Sequence, residues 1–135
     1  MPQLFVNLDV DDVEQAVRFY TEGLQLHVGR RFDEGFVEVL GADAPIYLLS
    51  TPAGSKPFDG AVHGREYSRH WTPVHLDFVV PELDAALTRA LAAGAKLEGH
   101  PSEHAYGRLA LLSDPFGHGF CLLELQGRGY DELLP

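Results

Sequence analysis

The chain carries the same pattern twice. Leu4, Val6, Leu8 and Val10 alternate with Phe5, Asn7 and Asp9. Far downstream, Val74, Leu76, Phe78 and Val80 alternate with His75, Asp77 and Val79. Period-two alternation marks a half-buried strand. Each strand leads into a helical stripe at i, i+3, i+4, i+7. The first stripe is Val13, Ala16, Val17 and Tyr20, capped by Asp11 or Asp12 and stopped by Gly23. The second is Leu83, Ala86, Leu87 and Ala90, opened by Pro81-Glu82 and stopped by Gly94. A shift of 70 pairs Phe5 with His75, Asp12 with Glu82 and Val13 with Leu83. A shift of 68 gives three identities in four, Val6-Asn7-Leu8-Asp9 on Val74-His75-Leu76-Asp77. The shift of 70 is preferred because it also aligns the helix starts. Both shifts are even, so His75 shares the face of Phe5 and Asn7, turned away from the helix.

Three short strands are expected after each helix: around Gln25–Arg30, Gly35–Leu40 and Pro45–Ser50, then around Ala95–Glu98, Gly107–Ser113 and His118–Leu125. Asp114-Pro115-Phe116-Gly117 reads as a type I turn, with Pro at its second position and Gly at its fourth. The fold class is α+β: two βαβββ modules in a single domain, 1–135. Module one covers about 4–50 and module two about 72–126. A Gly- and Pro-rich loop at about 51–71 connects them, and 127–135 is a tail. A loop that long in a compact domain is often functional; a lid and a plain connector are both open.

Composition narrows the function. Twenty acidic against ten basic residues give a net charge of -10, with no Lys/Arg cluster, so nucleic acid and acidic membranes are disfavoured as partners. One cysteine, Cys121, excludes an intrachain disulfide; with no basic and apolar leader at Met1-Pro2-Gln3-Leu4, a cytoplasmic location is expected. No serine elbow, phosphate loop, dinucleotide fingerprint or paired-cysteine zinc motif is present.

Val10-x-Asp12 followed by Phe19-Tyr20-x-x-Gly23-Leu24, and Tyr106-Gly107-Arg108 followed by Asp114-Pro115-Phe116-Gly117-His118 and a closing apolar strand, resemble the opening and closing motifs of the vicinal oxygen chelate superfamily. This superfamily includes glyoxalase, bleomycin-resistance proteins and ring-cleaving dioxygenases. The resemblance covers about residues 4–125. It implies that the two modules form a cup-shaped incomplete barrel, the glyoxalase/bleomycin-resistance fold, and that the protein is a homodimer. It also implies metal-ligand positions on the cup face, which fall here at Phe5, Tyr47, His75 and Cys121. Phe5 has no donor atom and Tyr47 is a poor ligand for a divalent ion. Such enzymes hold the metal by three or four His or Glu groups. No cofactor is therefore expected, with a divalent metal on His75 as the open alternative. A register slip of two would bring in Asn7 or Asp77.

Each candidate has a plainer reading. His75 is a general base, a lone ligand or a packed pocket histidine. Asp77, about 6.6 Å along the strand, orients His75 or a substrate, or pairs with an Arg. Cys121, with no nearby cation in sequence, reads as a small hydrophobe. Arg108, beside Tyr106, offers a fork for a carboxylate or phenolate, or a surface ion pair. Phe5, Tyr47 and Trp71 supply stacking walls for a flat ligand, or plain packing. His70 and the pair His100/His104 read as surface histidines, and His118 as a hairpin cap. Two functions compete: a small-molecule binding protein like the bleomycin-resistance branch, its acidity suited to a cationic ligand, and a lyase, isomerase or ring-cleaving dioxygenase using His75.

Overall fold

The computed structural model describes residues 1–135. Strand β1 (Val6–Val10) leads to helix α1 (Val13–Arg18), whose N-cap, Asp12, accepts a hydrogen bond from the Gln15 amide at 3.0 Å. The expected single helix to Glu22 instead changes at Phe19 to a π-helical turn, Phe19–Gly23. Within that wider turn Phe19 and Tyr20 are both buried, and Gly23 lies against Ala93 of the second half. Strands β2 (His27–Asp33), β3 (Phe36–Leu40) and β4 (Ile46–Ser50) follow, in a sheet ordered β1-β4-β3-β2 with β1 parallel to β4.

The second half repeats this plan. Strand β5 (Leu76–Val79), helix α2 (Leu83–Ala92) and strands β6 (Lys96–Leu97), β8 (Gly107–Ser113) and β9 (Gly119–Leu125) form a sheet ordered β5-β9-β8-β6, with β5 parallel to β9. Its first strand and helix start 70 residues after those of the first half. Strand β7 (Ser102–His104) is an addition: the 99–104 segment reads as loop in sequence, but it folds back on β8 around Ala105-Tyr106. Its backbone pairing needs no apolar side chain, and it carries none. A 3₁₀ turn at Gly129–Leu133 ends the chain, and no helix is long and apolar enough to cross a membrane.

The register separates two faces on each sheet. On one face, Leu8, Leu48 and Val37 lie side by side, as do Phe78, Leu122 and Ala110. These rows meet α1 and α2 in one buried cluster of twenty residues drawn from both halves. On the other face the rows are Asn7, Tyr47, Glu38 and Asp77, Cys121, Leu111. Tyr47, Cys121 and Leu123 are buried yet lie outside that cluster. Both sheets are open, with no closed barrel, and each keeps one face free of helices.

Candidate functional site

The helix-free face of the first sheet is aromatic. Phe5 meets Tyr47 edge-on at 5.3 Å between ring centroids. Phe36 lies 5.6 Å from Tyr47 and 4.4 Å from Phe32. Phe5 and Phe32 remain 53% and 45% exposed and adjoin Tyr47 and Phe36, so the exposed apolar surface there is contiguous. Beneath this layer Glu38 is a buried carboxylate. It accepts from Arg30 Nε at 3.1 Å and Nη2 at 2.7 Å, and from the Tyr47 hydroxyl at 3.0 Å. Arg30 hydrogen bonds, followed by the Tyr47 hydroxyl, outweigh the cost of burial and hold Glu38 at about 2, well below the usual carboxylate range. Glu38 was not singled out in sequence. Its only signal is an acid between Val37 and Val39, with Arg30 on the preceding strand.

On the second sheet, His75 Nε2 lies 3.4 Å from Asp77 Oδ1, and the donor atoms of His75, Asp77 and Cys121 fall within 4.8 Å of one another. Burial first, and then the Asp77 carboxylate, push the Cys121 thiol up to about 12.

The family's metal set does not fit these residues. Of its four carried-over positions, Phe5 offers no donor and Tyr47 spends its hydroxyl on Glu38. Cys121, the remaining position beside His75, is buried and lies against Asp77. Asp77, which completes the three-donor group, is not one of the four positions.

The remaining candidates separate from these faces. Arg108 takes the plainer of its two readings, donating to Asp84 at 3.1 Å. Tyr106 stacks on His104, with centroids at 4.9 Å and planes 4° apart, and borders Tyr130 at 5.1 Å. Neither joins Phe5, Tyr47 or His75. Trp71, 80% exposed, lines a cavity of about 1060 Å³ between β1 and β5, which Asn7 and His75 also border from the edges of the two faces. Val6, Leu8, Phe78 and Phe120 supply its apolar wall, and most of the 57–72 stretch of the long connection borders it. His118 is more than a hairpin cap. Its amide donates to Asp114 Oδ1 at 3.0 Å, but its ring reaches the cavity and bonds His70 and the Asp9 carbonyl.

Comparison with known proteins agrees with this architecture. Residues 5–123 match a family described as glyoxalase-like domain. The anthracycline biosynthesis protein DnrV of Streptomyces peucetius is 39% identical over 130 residues, covering 93% of this chain; the chain spans 42% of that protein. Among solved structures, the fosfomycin resistance protein FosX of Listeria monocytogenes superposes with a TM-score of 0.72 at 18% identity, covering 98% of this chain and 95% of its own. TnmS3, an antibiotic binding protein from a Streptomyces species, superposes with a TM-score of 0.63 at 23% identity, covering 93% and 97%. At these identities the structural likeness is one of fold.

Proposed function

Since the chain belongs to the glyoxalase-like domain family of the vicinal oxygen chelate superfamily, we propose that it binds a small, flat organic molecule on the aromatic face of its first sheet, without the family's metal. One observation carries this reading. Where the family places metal ligands, this chain has Phe5 packed on Tyr47, extended by Phe36 and Phe32 into a wall of rings. Rings at these spacings offer stacking surface, and the locked Tyr47–Glu38–Arg30 group fixes the wall's orientation. The name of DnrV, an anthracycline biosynthesis protein, supports a flat polycyclic ligand, and that of TnmS3, an antibiotic binding protein, supports small-molecule binding. A second copy of the chain closes the site: Phe5 and Phe32 on one sheet, and Val79, Leu111 and Leu125 on the other, are exposed in a single chain.

The second reading, a metal-dependent lyase, isomerase or dioxygenase using His75, rests on the three donors of His75, Asp77 and Cys121 within 4.8 Å. Elemental mass spectrometry of protein purified without chelator or histidine tag separates the two. Substoichiometric metal, even after incubation with Ni, Zn, Mn or Fe salts, supports the binding reading. About one equivalent per chain, lost in His75→Ala, sinks it.

A further inference from the structure

The rings of His70 and His118 make three hydrogen bonds. His118 Nε2 lies 2.7 Å from the Asp9 carbonyl oxygen. His70 Nδ1 lies 2.9 Å from the Ser68 carbonyl oxygen. The third contact joins the rings themselves, His118 Nδ1 to His70 Nε2 at 2.9 Å. A carbonyl oxygen only accepts, so His118 Nε2 and His70 Nδ1 each carry a proton. The ring-to-ring contact needs one proton between two nitrogens. The geometry thus demands three protons on four nitrogens: one more than two neutral imidazoles hold, and one fewer than two imidazoliums.

We propose that His70 and His118 are a proton-bridged pair of net charge +1, a latch that fastens the connection beside the inter-module cavity while the pair holds that single extra proton. Loss of the bridging proton sets two ring lone pairs against each other. Gain of a fourth proton sets two N–H groups against each other. Either change turns the 2.9 Å contact from attractive to repulsive.

The placement gives the latch its reach. Asp9 is on β1, His118 opens the approach to β9, and His70 is on the connection, so the His118–Asp9 bond joins the two halves, the His118–His70 bond fastens the connection to them, and the His70–Ser68 bond lies within the connection. The upstream part of the connection is anchored separately, by Arg65 on the Asp9 carboxylate at 2.9 Å and by Tyr67 bonding Thr51. Release therefore concerns the stretch from Ser68 to Trp71. That stretch also carries the His70 amide bond to the Gly117 carbonyl at 3.2 Å.

The groups facing the pair are few. From β1 comes Asp9, offset by Arg65. From the connection come Arg69, offset by Glu98, Glu66 on the Ser68 hydroxyl, and the Tyr67 ring at 6.3 Å from His118. From the turn before β9 comes the buried Asp114 carboxylate. It is bonded by neutral donors, the Tyr20 hydroxyl and the Phe116 and His118 amides. His63 and His75 line the same cavity.

Long-range nitrogen–proton spectra of the full chain labelled at histidine nitrogens test this directly, with His70→Gln and His118→Gln used for assignment. The expected result is a pH interval in which three of the pair's four nitrogens are of the N–H type. Over that interval the His70 amide is protected, and its protection, corrected for intrinsic exchange, falls at least tenfold on both the acidic and the basic side. The bell is expected to be absent in His118→Gln. Only two N–H nitrogens throughout the range in which the fold is intact would overturn the proposal, as would a single monotonic change in amide protection. If the variants fold poorly, the nitrogen count in the unmodified protein decides alone.

Discussion

The Tyr20 hydroxyl donates to Asp114 Oδ2 at 2.6 Å, and both groups are buried. Tyr20 belongs to the π-helical turn of the first half and Asp114 to the turn between the last two strands, so this bond fastens one module to the other. Burial foremost, and then the Asp114 carboxylate, raise the Tyr20 hydroxyl well above its ordinary value, so it stays a donor. Tyr20→Phe leaves a buried carboxylate short of one partner and is expected to lower stability by about 1–3 kcal/mol. Urea unfolding followed by circular dichroism measures this.

Glu38 makes stability depend on acid. Its carboxyl sits at about 2 in the folded chain against an ordinary 4.5, so the unfolded chain binds the proton more tightly. The stabilisation is fully present above 4.5 and is lost as pH falls through the window down to about 2. Urea midpoints measured across that window should fall with acid in the unmodified protein. They should fall less steeply in Glu38→Gln.

Cys121 should resist alkylation. A thiol at about 12 in place of the ordinary 9.0 leaves about a thousandfold less thiolate near neutrality. Iodoacetamide labelling at pH 8, followed by mass spectrometry, should be slower than in urea by at least that order, and faster in Asp77→Asn than in the unmodified chain.

Gly117 fixes where the connection lies. Its φ is +83°, and a Cβ there would sit 2.0 Å from the Ser68 carbonyl oxygen. Gly117→Ala should therefore displace the Ser68–His70 stretch and cost more than about 1 kcal/mol, since both the left-handed backbone and the contact oppose it. Thermal melting and faster proteolytic cleavage within residues 52–72 would report it.

The repeat made the architecture legible because burial writes itself into alternation. Leu8 beside Leu48, and Phe78 beside Leu122, are consecutive beads of patterns visible in the chain. Strand β7 was illegible because Ser102, Glu103 and His104 bury nothing, and they pair with β8 through the backbone and an exposed Glu103–Arg108 contact. The site was legible only where one strand determines it. The face shared by Phe5, Asn7, His75 and Asp77 follows from period two, and so does the near approach of His75 to Asp77. Glu38 with Arg30 and Tyr47, and His118 with His70 and Asp9, unite residues from separate elements. Nothing local marks such meetings. Arg108 shows the same limit in reverse, since its partner Asp84 lies on a helix whose packing the sequence does not fix.

The central claim is that an aromatic face replaces the metal, and a binding titration tests it most directly. An anthracycline, chosen for the chemistry in the name of the relative DnrV, would be titrated into chelator-treated protein and followed by calorimetry, with Phe5→Ala and Phe36→Ala alongside. The expected result is saturable binding that chelator does not diminish and that weakens at least tenfold in each variant. Binding that appears only when a divalent ion is restored, or that both variants leave unchanged, would contradict it.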